Sequence, residues 1–261
     1  MEPNVYTEVR GNAMWITLNR PGAMNSITPQ IVEGINRALD QVEAEDGPRV
    51  VVLTGTGRAF CAGADLKFVR QTASGDEGAV ARFLESVLTV MERLEKCPRP
   101  VIAAINGLAL AGGLELVLCC DLVVAARTAR IGDAHANYGL LPGGGSSVRL
   151  PRKIGVTAAK YLLYTGDFVP AESLVAAGLV NQVVDDTKLH AAVDELVEKL
   201  ASKSPLVLRR MKALIDDGIE QPQATALRLE LLASEVHAHS HDMREGLAAF
   251  EEKRKPEFTG R

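Results

Sequence analysis

The sequence predicts an α/β protein, with a core of buried parallel strands alternating with helices and a helical module at the end. Short, continuous apolar runs recur at residues 50–53, 101–105 and 122–125, as expected of strands buried on both faces. Between the first two lies a segment with apolar residues at helical spacing, and a short apolar helical stretch separates the last two. From about Asp186 onward the helical pattern is almost unbroken. Alternation of strand and helix points to βαβ connections and a parallel sheet.

The elements follow in order. Two strands open the chain, around 5–9 and 13–18, the second with Met14, Ile16 and Leu18 alternating. Asn19-Arg20-Pro21-Gly22 reads as a turn or loop. Ile31, Ile35, Leu39 and Val42 define a helix over about 29–44. The run at 50–53 ends in Thr54-Gly55, and a loop follows through Gly63 and Asp65. Val80, Phe83, Leu84, Val87, Leu88, Met91 and Leu94 share one face of the next helix, which Pro98 stops. A strand at 101–105, a short buried helix at 112–120 and a strand at 122–125 complete the core. Helices near 189–200, 205–215 and 224–236 form the appended module.

Composition sets limits on function. The 261 residues are 47% hydrophobic and 24% charged, ordinary for a globular chain with a sizeable core. A net charge of −4 supplies no basic field, so neither nucleic acid nor a membrane surface is an expected partner. The apolar run 101–120 is broken by Asn106, Gly107, Gly112-Gly113 and Glu115, which excludes a spanning helix. The polar opening Met1-Glu2-Pro3-Asn4 lacks a signal-peptide pattern. Cys61, Cys97, Cys119 and Cys120 have no metal or redox spacing, so free thiols in a reducing, cytoplasmic setting are expected.

Two glycine-bearing loops sit between a buried strand and a helix: Ala59-Phe60-Cys61-Ala62-Gly63-Ala64-Asp65 and Asn106-Gly107-Leu108-Ala109-Leu110-Ala111-Gly112-Gly113. Loops at the carboxyl ends of parallel strands are where open α/β sheets bind ligands. Gly112 begins a helix, so its N–H is an unpaired donor at the positive end of the dipole. A second N–H from Ala64, aimed at the same spot, makes an oxyanion hole; the other reading is two tight turns. Glu115 shifts the balance. It is the one charge among Leu114, Leu116, Val117 and Leu118, three residues after Gly112 and on the same helix face. A carboxylate so placed must be paired, protonated or functional, either a general base beside the anion site or a cap on backbone or arginine.

These residues resemble the crotonase (enoyl-CoA hydratase/isomerase) superfamily. The likeness runs through Leu18-Asn19-Arg20-Pro21 with Asn25, Gly57-Arg58-Ala59-Phe60-Cys61-Ala62-Gly63-Ala64-Asp65-Leu66, and Asn106-Gly107 to Gly112-Gly113-Leu114-Glu115. It continues through Gly139-Leu140-Leu141-Pro142-Gly143-Gly144 to Glu245-Gly246, Phe250 and Glu252-Lys253-Arg254. The resemblance implies a spiral of ββα turns over residues 1–195 and a helical oligomerisation module over 196–261, building a homotrimer or a dimer of trimers. It implies an acyl-CoA substrate and no separate cofactor or metal, since coenzyme A arrives on the substrate. The Ala64 and Gly112 amides become the oxyanion hole. Ala23, Met24, Ala62, Asp65, Leu66 and Pro142 fall at the CoA and substrate site, and Phe250 and Lys253 where a neighbouring subunit covers the nucleotide.

Hydration of a 2-enoyl-CoA to a 3-hydroxyacyl-CoA is the leading reaction implied, with Glu115 as the first of the family's two glutamates. In Gly132-Asp133-Ala134-His135-Ala136-Asn137-Tyr138 the second is replaced by His135. Imidazole titrates near neutrality, so His135 is either a proton carrier or a pocket-lining donor. Asp133 is a substitute acid, or else a solvated or a loop-capping residue. The departure leaves hydrolase, decarboxylase, C–C lyase and isomerase chemistry open, and also a non-catalytic acyl-CoA-binding protein.

Other signals carry less. Gly143-Gly144-Gly145-Ser146-Ser147 lacks the lysine of a phosphate-binding P-loop and suits close packing at a helix start. Of His237, His239 and His241 only the outer two share a helix face, which reads as a solvated or subunit-contacting end rather than a metal site. Residues 251–255 read as a charged surface tail.

Overall fold

The computed structural model describes residues 3–44, 47–73, 76 and 78–261. Met1 and Glu2 of the polar opening, and Ser74, Gly75 and Glu77, lie outside the described residues. The chain opens with an antiparallel hairpin of β1 (Val5–Arg10) and β2 (Ala13–Leu18). Helix α1 (Pro29–Val42) follows. The Thr28 side chain accepts the Ile31 amide, Pro29 sits where a missing N–H costs nothing, and Ile31, Ile35, Leu39 and Val42 line the buried face.

Three successive turns then repeat one plan: a strand for each of two sheets, then helix. The first turn is β3 (Val50–Gly55), β4 (Ala59–Cys61), α2 (Leu66–Ala73) and α3 (Ala79–Glu95). The second is β5 (Val101–Ile105), β6 (Leu108–Leu110) and α4 (Gly112–Leu118). The third is β7 (Leu122–Ala126), β8 (Arg130–Gly132), α5 (Ser146–Ile154) and α6 (Val156–Thr165). After β9 (Val169–Pro170) and β10 (Gln182–Val184), the larger sheet has the order β1-β2-β3-β5-β7-β10, parallel except for the opening hairpin. The smaller sheet has the order β4-β6-β8-β9, with β9 antiparallel.

The α/β expectation holds, and the strands and helices read at 13–18, 29–44, 50–53, 101–105, 122–125, 189–200, 205–215 and 224–236 lie where their periodicity puts them. The smaller sheet revises two of the loops read from sequence. Residues 59–61 and 108–110 are strands, each too short to show an alternation. The step between sheets is tight. A Cβ on Gly107 would lie 2.2 Å from the Arg58 carbonyl oxygen. The Asn106 side chain accepts the Gly55 amide at 3.2 Å and donates to the Gly57 and Ala59 carbonyls at 3.0 and 3.2 Å.

Helix α7 (Leu189–Ala201) runs unbroken through residues 195 and 196, and its Leu189, Val193 and Val197 belong to the same core as the larger sheet. Helices α8 (Pro205–Ile219), α9 (Gln223–His237) and α10 (His241–Glu252) bury far less. Residues 251 and 252 are the end of α10 rather than tail. Arg254 folds back onto Glu245 and Glu252. No described helix is long and apolar enough to cross a membrane. The four cysteines are unpaired and buried.

Candidate active site

The two glycine-bearing segments meet. A Cβ on Gly63 would lie 3.1 Å from the Gly112 nitrogen, and a Cβ on Gly112 would lie 3.5 Å from the Ala64 nitrogen. Neither the Ala64 nor the Gly112 amide donates to an acceptor among the described residues. Two unspent donors therefore lie in neighbouring segments, an arrangement able to stabilise a developing oxyanion if both point at one ligand atom.

The Ala64 side of this pair is braced by the chain before α1. Ile27 N donates to Gly63 O at 2.8 Å, and Asp65 N donates to Ile27 O at 2.9 Å. Arg20 pairs with Asp65 at 3.0 Å and donates to the Ser26 carbonyl at 2.7 Å. Burial alone would raise Asp65, but the Phe68 amide and the Arg20 guanidinium outweigh it and hold the carboxyl below its usual value. Its carboxylate also caps the start of α2 through Lys67 N and Phe68 N.

The Gly112 side rests on a strained residue. Ala111, just before α4, has φ 49° and ψ −116°, a conformation that side-chain-bearing residues avoid. Such backbone costs about 1–3 kcal/mol and persists only where its surroundings enforce it. Here Ala111 N donates to Gly132 O of β8, and Glu115 N donates to Ala111 O, both at 3.0 Å. The twist ends β6 and starts α4 within one residue, which leaves Gly112 at the first helical position rather than in a strand ladder.

Glu115 is 2% exposed, and no arginine among the described residues bonds to it. Its Oε1 accepts the Gly144 amide at 2.8 Å and the Ser146 amide at 3.1 Å, at the N-terminal end of α5. Two amides and a helix dipole offset the loss of water around the charge. A Cβ on Gly144 would lie 2.7 Å from Oε2, so glycine there makes room for the carboxylate. The glycine-rich stretch thus serves both close packing and a carboxylate cradle. Nearby Cys61 is no rival nucleophile, because burial pushes its thiol up to about 12.

His135 starts a 3-10 turn, His135–Tyr138, just past β8, and its side chain is 13% exposed. Its Nδ1 lies 2.8 Å from Asp133 Oδ1, which also accepts the His135 amide at 3.1 Å. Burial would lower the imidazole, but the Asp133 carboxylate, helped by the charge of Glu115, raises it above its usual value. Asp133 moves the opposite way. Burial would raise it, and His135 more than reverses this. The Ser146 hydroxyl lies beside Asp133 and lowers it further, although Ser146 Oγ and Asp133 Oδ2 stop short of hydrogen-bond geometry and are otherwise unpartnered. Asp133 is therefore buried rather than solvated, and it caps the loop through the His135 amide, the other reading open for it.

The sequence model of enoyl-CoA hydratase/isomerase matches residues 8–261. The chain belongs to that family. The crystal structure of an enoyl-CoA hydratase from Bacillus anthracis superposes with a TM-score of 0.94 at 41% identity, covering 99% of this chain and 100% of that one. An enoyl-CoA isomerase/hydratase of Mycosarcoma maydis is 37% identical over 100% of this chain and 97% of its own. A crotonyl-CoA hydratase of Syntrophomonas wolfei is 34% identical over 99% and 98%.

The remaining positions singled out by the family resemblance are spread over the fold. Ala23 and Met24 end the short turn after Arg20, and their backbone groups are partly spent within the chain. Ala23 N donates to Arg20 O and its carbonyl accepts Ser26 N, while the Met24 carbonyl accepts Ala62 N at 3.0 Å. Each carbonyl keeps a second lone pair. Leu66 is exposed at the start of α2, and Pro142 is half-buried in the loop before α5. Phe250, 85% exposed, and Lys253 lie at the end of α10. No hydrogen bond or ion pair among the described residues links α10 to the segments that carry Ala64 and Gly112.

Reading from sequence missed the Gly144 and Ser146 amides and the twist at Ala111, and it placed Asn25 in a motif without giving it a role. Asn25 is fully buried and joins Arg20 N, Thr56 O and Ala59 O through one side chain. The Asn after Arg20-Pro21 was its only signal, and nothing local distinguishes Ala111 from any other alanine.

Proposed function

We propose that the protein hydrates 2-enoyl-CoA thioesters to 3-hydroxyacyl-CoA, as a hydro-lyase. The observation that carries this reading is the unspent Ala64 amide beside Gly112, with buried Glu115 one helical turn further along α4. The thioester carbonyl takes the two amides, which polarise it and stabilise negative charge as the enolate forms; each such donor contributes on the order of 100-fold in rate. Oε1 of Glu115 is pinned by Gly144 and Ser146, which leaves Oε2 to orient water and accept its proton as oxygen adds at C3. Protonation of C2 then gives the product.

Coenzyme A belongs to the substrate in this reading, held at Ala23, Met24, Ala62 and the start of α2. Phe250 and Lys253 complete the nucleotide end from a neighbouring subunit of a trimer or dimer of trimers. The apolar residues that α8 and α9 expose, Ile215, Ile219, Leu231 and Val236 among them, support such an assembly, in a reducing cytoplasm suited to unpaired thiols. Mass spectrometry of products over a panel of short and medium acyl-CoAs tests the reaction. A 3-hydroxyacyl-CoA supports hydration. Free CoA without it supports a hydrolase, a shifted double bond an isomerase, and tight binding without turnover a binding protein.

A further inference from the structure

The segment between β8 and α5 carries a buried carboxylate that the mechanism above leaves unused. Asp133 is 1% exposed and spends one oxygen, Oδ1, on both the backbone amide and the ring Nδ1 of His135. A carboxylate only accepts, so Nδ1 carries the hydrogen and Nε2 is the ring nitrogen left to meet a reactant. The backbone adds a second restraint. Leu140 N donates to His135 O at 3.0 Å, and Gly139 ends the turn with φ 64°. Ring and main chain are thus both fixed from one side.

Ser146 ties this pair to the other carboxylate. Its amide donates to Glu115 Oε1 at 3.1 Å, while its buried hydroxyl lies beside Asp133. The charged groups that act on His135 are Asp133, from the end of β8, and Glu115, from α4. Both favour an imidazolium.

We propose that Asp133 is a positioning residue that makes His135, through Nε2, the second proton-transfer group of the site, in place of a second carboxylic acid. This rests on the hydration reading. As water oxygen bonds to C3, its proton passes to Glu115 and the C2–C3 π pair moves into the enolate. Nε2–H of the imidazolium then gives its proton to C2, leaving neutral His135. The proton on Glu115 returns to His135 through solvent, so water is added across the double bond and both groups are restored.

Two measurements on the full-length protein test the proposal. The first is the 15N shift and titration of His135 without substrate. The Nδ1–H tautomer is expected in the neutral ring, and Asp133→Asn should lower its midpoint by about one unit or more. The second is kinetics with 2-butenoyl-CoA. Asp133→Asn should lower kcat by about 10–100-fold with KM nearly unchanged, and should move the loss of kcat at high pH to lower pH. The sign follows from the role: the imidazolium is the donor, so activity falls as pH rises through its midpoint, and removing the carboxylate lowers that midpoint. His135→Gln should abolish that limb outright, which keeps the test intact if Asp133→Asn fails to fold.

A wild type that hydrates no 2-enoyl-CoA sinks the hydration reading before any variant is made, and takes the proton-transfer role of His135 with it. With an active wild type, an Nε2–H tautomer, an unshifted limb in Asp133→Asn, or a limb that survives in His135→Gln overturns the present proposal alone.

Discussion

The amide nitrogen of Ala64 stands 3.5 Å from the point where a Cβ on Gly112 would be built, so a side chain at residue 112 would come into contact with the Ala64 donor. Ile27 Cδ1 at 3.1 Å and Gly63 Cα at 3.3 Å close the other sides. The neighbouring glycine meets a different obstacle, since a Cβ on Gly113 would lie 2.0 Å from the Cys61 carbonyl oxygen.

Adjacent glycines should therefore fail in different assays. Gly112→Ala crowds the Ala64 amide while the flexible Ile27 tip gives way. Its kcat on a 2-enoyl-CoA should fall about 100-fold, with the melting temperature changed by only a few degrees. Gly113→Ala must push β4 away from α4, an overpacking that costs about 1–3 kcal/mol or more, and its first symptom is a lower Tm. Equal losses of Tm in the two variants would show that residue 112 has no special relation to the hole.

Glu115 separates chemistry from folding in a similar way. In Glu115→Gln the side-chain carbonyl oxygen still accepts the Gly144 and Ser146 amides, so Tm and acyl-CoA binding should persist while turnover falls by about 100-fold or more. Glu115→Leu loses turnover as well, and it also strands two buried N–H donors at about 1–3 kcal/mol each. Thermal melts of the two variants beside their kcat values check the contrast. Normal turnover in Glu115→Gln would remove this residue from the mechanism.

Acid should loosen the C-terminal tail through Asp242. This buried carboxylate accepts the Ser204 hydroxyl at 2.5 Å and the Thr259 and Gly260 amides at 2.9 and 3.0 Å. Burial raises it, but those donors outweigh burial and hold it below its usual value. A depressed folded pKa gives stability that is complete above the unfolded value, about 4, and is lost as pH falls through the folded one. Amide exchange at residues 259–261 should therefore accelerate below about pH 4. In Asp242→Asn that acid step should vanish, with the tail loosened already at neutral pH.

The larger sheet was legible because its strands are apolar runs of strand length bounded by turn signals, as at 50–53 and 101–105. The smaller sheet was not, since three residues cannot display a period of two and β4 and β6 are indistinguishable from the loops that continue them. Glu115 was legible from its isolation in an apolar stretch. Its partners were not, because backbone amides carry no residue code. Asp133 shows the opposite failure. Its spacing to His135 was visible, but a loop position between strand and turn left solvent and loop capping equally open, and only its burial reveals it as a fixed acceptor.

Asn25 provides the last test, because one residue combines a strained backbone with three side-chain bonds. Its φ is 56°, in the left-handed region, and its amide group accepts Arg20 N at 2.8 Å while donating to Thr56 O at 2.9 Å and Ala59 O at 2.7 Å. Asn25→Gly loses the bonds but suits the backbone; Asn25→Ala loses the same bonds and retains the strain, about 1 kcal/mol for a single residue. Both variants should melt lower than wild type, with alanine the lower of the two. The bonds also hold the turn bearing Ala23 and Met24 against β4, where Ala62 N reaches Met24 O. KM for an acyl-CoA should accordingly rise in both variants, while the high-pH limb of kcat stays in place, because no hydrogen bond or ion pair among the described residues links this platform to His135. A melting order with glycine below alanine would mean that the left-handed conformation at residue 25 costs nothing here.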